Sequence, residues 1–274
     1  MSYRQTGDIT ENTEIRNMKE VKILLTGAAG RMGRAVTELA AKESGASIVC
    51  AVDVTPMQGT FPCYAGINEV PDDCGADVIV DFSHHTAVEG ILRFSERTGI
   101  PAVICTTGHT ADEIKLMEKS SEKIAIFRSG NMSLGINLLM ALTEKAAAVL
   151  NGFDIEIIEK HHNQKLDAPS GTAIMLADSA EKGRGGKAVL VYDRHMRRER
   201  RKESEIGMHS VRGGTIVGEH EVIFAGHDEV VTLAHSAQSR EVFAKGALSA
   251  AAFMKGKTSG LYNMKDVIDS LIGE

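Results

Sequence analysis

Three glycines spaced three residues apart, Gly27, Gly30 and Gly33, separate a short apolar run, Val21 to Thr26, from the alanine-rich stretch Ala35 to Ala40. The first run reads as a short apolar strand and the second as a helix. A chain that turns from strand into helix this tightly needs glycine, both for the turn and for close backbone approach to a pyrophosphate at the helix start. The candidate loop is Gly27, Ala28, Ala29, Gly30, Arg31, Met32 and Gly33. A second strand, Ser47 to Val52, leads to Asp53, 20 residues past Gly33. An acid at that distance meets the ribose hydroxyls of an adenine nucleotide. Few folds accommodate this arrangement; the expectation is an α/β, doubly wound parallel sheet of Rossmann type that holds a dinucleotide.

The next segments repeat the pattern. Ala76–Phe82, Ile100–Cys105 and Ile124–Phe127 read as further apolar strands; helices are expected from about Ala87 to Arg97 and from Ala111. Ligands of such sheets lie beyond the carboxyl ends of the strands. Phe82, Cys105, Thr106, Thr107, Gly108, Ser129, Gly130 and Asn131 fall there and join the glycine loop and Asp53 as candidate cofactor-binding residues.

A different chemistry is concentrated between Glu159 and Thr172. Phe153 to Ile158 reads as a strand, and Ala173 to Ala177 as a helix with Ser170 or Thr172 as N-cap. His161, His162 and Lys165 thus leave a strand opposite the free N–H groups of Ser170, Gly171 and Thr172. Both features attract anions, which points to a pocket for a small acid beside a proton donor. A metal site is not expected: no third ligand stands at a recognisable spacing from the two histidines, and neighbouring residues on a strand face opposite ways.

A long helix from Leu134 to Leu150 precedes this segment, and strands are expected at 188–192, 205–212, 215–224 and 229–237. They suggest a second α+β domain with an antiparallel or mixed sheet whose free face pairs with other subunits. Phe243–Met254 and Met264–Leu271 read as helices that return to the first domain. The division expected is 1–131 with 241–274 for the dinucleotide and 132–240 for substrate and oligomerisation.

Composition narrows the partners. The 274 residues carry a net charge of −6, which argues against nucleic-acid or anionic-membrane binding. The basic run from Arg194 to Lys202 lacks interleaved aromatics and reads as a solvated loop. No apolar stretch has membrane-spanning length, and residues 1–19 read as a flexible tail without a signal-peptide core. Cys50, Cys63, Cys74 and Cys105 show no C-x-x-C spacing and read as reduced thiols of a cytoplasmic protein. His84, His85, His220, His227 and His235 are assigned no chemistry.

With these motifs in place, the chain resembles the 4-hydroxy-tetrahydrodipicolinate (dihydrodipicolinate) reductase family from Lys22 to about Ile272. The resemblance rests on Gly27–Gly33, Asp81-Phe82-Ser83, Thr106-Thr107-Gly108, Asn131-Met132-Ser133, Val217-Gly218-Glu219-His220 and above all His161 to Thr172. It implies NAD(P)H-dependent reduction of a cyclic imine dicarboxylate to tetrahydrodipicolinate, a step toward diaminopimelate and lysine, by a homotetramer joined through the second sheet. It makes His161 the general acid and Lys165 a carboxylate ligand that also stabilises developing negative charge. His162, Ser170, Gly171 and Thr172 complete the substrate contacts, and closure is expected at hinges near Asn131-Met132 and Ser239-Arg240. Cys105 and Gly130 stand where the family often has glycine and proline, respectively. Val54 follows Asp53 where some members carry an arginine for the 2′-phosphate, which favours NADH over NADPH, although Arg31 is placed to reach a phosphate. Another imino-acid dehydrogenase or a silent dinucleotide sensor fits the His161–Thr172 motif less well.

Overall fold

The computed structural model describes residues 20–42, 45–55, 60–195 and 198–272. The tail expected over residues 1–19, Pro56 and Gly59 of the loop after Asp53, and Arg197 of the basic run lie outside the described residues.

The first layer alternates strand and helix: β1 (Val21–Thr26), α1 (Arg31–Lys42), β2 (Ala46–Val52), β3 (Cys63–Tyr64), β4 (Val78–Asp81), α2 (Val88–Thr98), β5 (Ala102–Ile104), α3 (Ala111–Ser121) and β6 (Ala125–Arg128). After it come α4 (Leu134–Val149), β7 (Asp154–His161), α5 (Gly171–Arg184), β8 (Val189–Val191), β9 (Glu205–Arg212), β10 (Gly218–Ala225) and β11 (Val230–Ala237). The chain closes with α6 (Glu241–Met254), β12 (Gly260–Tyr262) and α7 (Met264–Ile272).

Seven strands pair in the order β12-β6-β5-β4-β1-β2-β3, parallel at every described pairing. Ile23, Leu24, Leu25, Ile79, Val80, Val103 and Ile126 are fully buried, as strands covered on both faces require. Helix ends follow local chemistry. Thr110 and Glu113 form a reciprocal capping box at the start of α3. Gly99 ends α2 at φ 72°, a left-handed value that glycine adopts without strain.

The second sheet has the order β11-β10-β7-β9-β8. It is mixed: β7 runs antiparallel to β10 but parallel to β9. Its inner face, with Ile155, Ile157, Ile206, Met208, Val222 and Phe224, packs on α4 and α5. Helix α6 returns to the first sheet, as its sequence suggests. Ala244, Ala247, Ala250 and Ala251 share a core with Val78, Val80, Val103 and Phe127. Small residues permit that approach: a Cβ added at Gly246 would stand 1.6 Å from the Met132 carbonyl oxygen.

Several boundaries differ from expectation. Strand β7 does not stop at Ile158 but continues to His161, because β9 pairs with it up to Arg212. Helix α1 begins at Arg31, so Gly33 lies inside it, against the Gly27 carbonyl. Strand β10 starts at Gly218 rather than Thr215, and β3 and β12 are too short to have left a sequence signal. The basic run is not simply solvated: Arg194 pairs with Glu205, and Arg201 reaches Asp154 at 2.6 Å and Glu156 at 3.0 Å. These arginines tie the loop to its own sheet.

Candidate active site

At the carboxyl edge of the first sheet the glycine loop closes on itself, Gly30 N–H donating to the Gly27 carbonyl at 3.1 Å. A Cβ at Gly27 would lie 2.4 Å from the Phe82 carbonyl oxygen, and one at Gly33 would lie 2.3 Å from that of Gly27. The glycines therefore let β1, β4 and α1 converge; the amides of Gly27 to Gly30 are spent on Val52, Asp53 and Gly27, so those of Arg31 to Gly33, in the first turn of α1, are the ones open to an anion. Asp53 terminates β2 with both oxygens engaged: Oδ2 accepts from Ala29 N at 2.9 Å and Oδ1 from Thr55 N at 2.8 Å. Its carboxylate is held in one orientation at the mouth of a cavity of about 570 Å3, lined among others by Gly27, Gly30, Val54, Phe82 and Ile67. This largely apolar recess suits an adenosine.

A second cavity, about 560 Å3, continues past Arg31 and Met32 to Phe82, Cys105, Thr106, Thr107, Ser129, Gly130 and Asn131. Buried Asp81 organises its floor, accepting from Thr26 Oγ1 at 2.5 Å, Ser83 N at 3.0 Å and Thr106 Oγ1 at 2.6 Å. Burial pushes the Cys105 thiol well above its ordinary pKa, and Asp81 adds to the shift; this cysteine lines the cleft as a neutral, unreactive group. Gly108 turns the chain at φ +83° just beyond the lining residues. Ala28 is fully buried under the loop and presents no side chain to either cavity.

The residues expected to bind an acid stand beside this cleft. Asn131 Nδ2 donates to Thr172 Oγ1 at 2.9 Å, and a Cβ at Gly130 would come within 3.0 Å of Met175 in α5. Ser170, not Thr172, is the N-cap of α5, accepting from Ala173 N at 3.2 Å. The Gly171 and Thr172 amides are the free donors of the first turn.

His161 ends β7 on its inner face, 8% exposed. Its Nδ1 lies 2.5 Å from Glu159 Oε2. A carboxylate only accepts hydrogen bonds, so Nδ1 carries the proton and Nε2 is the ring atom left for a ligand. Glu159, 1% exposed, is further bound by Arg212, at 2.6 Å to Oε1 and 2.8 Å to Oε2, and by Ser170 N at 3.1 Å. Burial pushes the Glu159 carboxyl up, but the hydrogen bonds from Arg212, Ser210 and His161 together outweigh it and hold the group at about 2. His161 is pulled below its usual 6.5 by burial, against the opposing pull of Glu159. His220 stacks edge-on to His161 at 5.2 Å and lies 3.1 Å from Ser170 Oγ. Burial first, and the His161 ring next, lower it to about 4, so it remains a neutral wall of the site.

Lys165 lies in the loop after β7 and pairs with Asp167 at 2.8 Å. Asp167 is exposed, so an arriving carboxylate can replace it. His162 is half-buried at the start of that loop. The structure thus brings together His161, Lys165 and the α5 start, next to the cleft formed by the residues singled out at the first sheet's edge. Sequence reasoning gave Glu159 and Arg212 no role; His220, assigned no chemistry there, is a hydrogen-bonded neutral ring here. Glu159 had a signal, since residues two apart on a strand share a face; Arg212 had none, because it reaches the site through the register of β9.

Residues 21–132 match the family profile described as dihydrodipicolinate reductase, N-terminus, and residues 135–268 the one described as dihydrodipicolinate reductase, C-terminus. A protein of Caldanaerobacter subterraneus subsp. tengcongensis named 4-hydroxy-tetrahydrodipicolinate reductase is 50% identical over 248 residues, covering 90% of this chain and 98% of the relative. Its namesake in Clostridium botulinum is 47% identical with the same coverage. Among solved structures, dipicolinate-bound dihydrodipicolinate reductase from Paenisporosarcina sp. TG-14 shares the fold at a TM-score of 0.75 and 24% identity, over 89% of this chain and 97% of that one. A myo-inositol dehydrogenase from Corynebacterium glutamicum shares it more distantly, at a TM-score of 0.56 and 17% identity over 92% of this chain and 94% of that one. With both halves of its sequence matched and relatives near half-identical along nine-tenths of its length, this chain belongs to the dihydrodipicolinate reductase family.

Proposed function

We propose that this chain reduces a dihydrodipicolinate-type cyclic imine to tetrahydrodipicolinate with NAD(P)H, in the route to diaminopimelate and lysine. The observation that carries the reading is the Asn131–Thr172 hydrogen bond at 2.9 Å, which joins a dinucleotide cleft to an anion-binding helix start beside a buried His–Glu pair. A reduced nicotinamide, when bound, supplies the hydride that C4 of the substrate ring accepts. The Gly27–Gly33 loop would hold the pyrophosphate and Asp53 the ribose. Phe82, Cys105, Thr106, Thr107, Gly108, Ser129, Gly130 and Asn131 would shape the remaining cleft.

The substrate carries two carboxylates. In this reading the Gly171 and Thr172 amides, with Ser170, receive one at the start of α5, and Lys165 leaves Asp167 to receive the other. His162 closes the opposite side. As the ring gains electrons, its nitrogen or the adjacent carbon must take a proton, and His161 gives it from Nε2. To do so the ring must be imidazolium. The free site disfavours that form, whereas two arriving carboxylates favour it. The activity kcat/KM is therefore expected to fall as pH rises through a value below 6.5. The corresponding limb of kcat should lie at higher pH, because it reports the liganded enzyme; coincident limbs would count against the scheme.

NADH is the favoured cofactor, because a 2′-phosphate would face the fixed Asp53 carboxylate with no cation at Val54. Screened by solvent at this half-buried carboxylate, the repulsion is about 1–2 kcal/mol, so kcat/KM should favour NADH by about tenfold. Parity between the cofactors would remove this argument. The domain division at 131/132 and 240/241, with hinges at Asn131-Met132 and Ser239-Arg240, lets the two sites close on each other.

No helix among the described residues is long and apolar enough to cross a membrane, and the four cysteines are free; a cytoplasmic enzyme is consistent with both. On the outer face of the second sheet, Val211 is 46% and Val230 62% exposed, next to Ile158 and Ile223. Association through this face into a homotetramer is expected to give a mass near four chains of 29.4 kDa by light scattering, and a single-chain mass would exclude it.

A further inference from the structure

We propose that Glu159 is a positioning residue for the reduction: clamped by Arg212 and the Ser170 amide, it keeps Nδ1 of His161 protonated, so that Nε2 is the atom that gives the proton and regains it. The proposal rests on the reductase reading but concerns a residue outside the His161–Thr172 motif.

The carboxylate has no freedom to do otherwise. Oε1 accepts from Arg212 Nη2 at 2.6 Å and from Ser170 N at 3.1 Å, and Oε2 from Arg212 Nη1 at 2.8 Å and from His161 Nδ1 at 2.5 Å. Three elements meet there. Strand β7 puts Glu159 and His161 on one face, the parallel register sets Arg212 directly beside His161, and the α5 cap supplies the amide. Arg212 also donates to the Asp167 carbonyl at 2.7 Å, which fastens the loop that carries Lys165.

The charges around His161 explain why this carboxylate matters. Lys165 and Arg212 are cations facing the ring, His220 is a neutral ring at 5.2 Å, and Asp167 is paired with Lys165. Glu159 is the carboxylate in direct contact with the imidazole. Without it, an imidazolium would form between two cations in a desolvated site.

Glu159→Gln keeps the shape and removes the charge. With the in situ-generated imine as substrate and NADH as donor, kcat/KM at neutral pH is expected to fall by about a hundredfold. KM for the imine should stay within about threefold, since the carboxylate ligands are untouched. The decisive readout is the pH profile. The limb that falls with rising pH should move to lower pH by about one unit or more, because loss of the carboxylate makes the imidazolium harder to form. A loss of rate equal at every pH would reduce Glu159 to a structural role, and an unchanged rate would remove it altogether. Nitrogen-15 NMR of histidine-labelled wild-type protein, with the signal assigned through His161→Asn, supplies a readout that needs neither turnover nor a folded Glu159 variant. Neutral His161 should show the proton on Nδ1, and a proton on Nε2 would overturn the proposal. If wild type reduces nothing, the functional reading fails while the tautomer still decides this one.

Discussion

Replacing His161 with alanine is expected to lower kcat by about 10²- to 10⁴-fold, the usual worth of a positioned proton donor, while leaving NADH binding intact. The nucleotide-contacting residues assigned above do not include His161, so cofactor affinity, read by fluorescence titration, should be unchanged. The substrate's carboxylates are assigned to Lys165 and the α5 start, so KM for the imine should move far less than kcat. A fall in kcat of less than about tenfold would shift the proton donor elsewhere, Lys165 being the next cation in reach.

Replacing Arg212 with methionine is expected to destabilise the fold by about 3–5 kcal/mol, because it strips a buried carboxylate of its bidentate partner. Glu159 is 1% exposed. In the native protein, hydrogen bonds overcome the upward push of burial and hold its carboxyl at about 2, against an ordinary 4.5. A depressed folded-state pKa contributes stability that is fully present above 4.5 and is lost as pH falls toward about 2. In the variant, burial acts with less opposition and the carboxyl rises. The stability deficit relative to wild type should therefore be largest near neutral pH and shrink as the carboxyl becomes protonated on acidification. Thermal melts at several pH values measure this directly, and a deficit constant with pH would mean that Arg212 acts through packing alone.

The two halves of the molecule differed in legibility for physical reasons. The first sheet was readable because its strands are buried on both faces and its first loop needs glycine where β1 turns into α1. The positions at its carboxyl edge, from Phe82 to Asn131, followed from the strand ends. Beside the second sheet, the helix start at Ser170 to Thr172 was readable, since a cap and a glycine precede an apolar run. The buried half of the site was not. Glu159 takes an inward position of the alternating strand β7, where a charged residue ordinarily faces water, and nothing local to it announces Arg212. That partner arrives because β9 runs parallel to β7, an arrangement set by the crossover through α5 and β8 and not by either strand's own pattern. The place of His220 was hidden for the same reason: its motif was visible, but it reaches His161 and Ser170 only across the β7–β10 pairing.

The central claim is that hydride chemistry on a cyclic imine dicarboxylate occurs where these two halves meet. The most direct test generates that imine in situ from pyruvate and aspartate semialdehyde, and follows the loss of absorbance of NADH and of NADPH with wild-type protein. Rapid oxidation that requires the imine, faster with NADH, is the result this account predicts. Tight NADH binding with no imine-dependent oxidation of either nucleotide would contradict it and leave a dinucleotide-binding protein whose acid pocket serves another ligand.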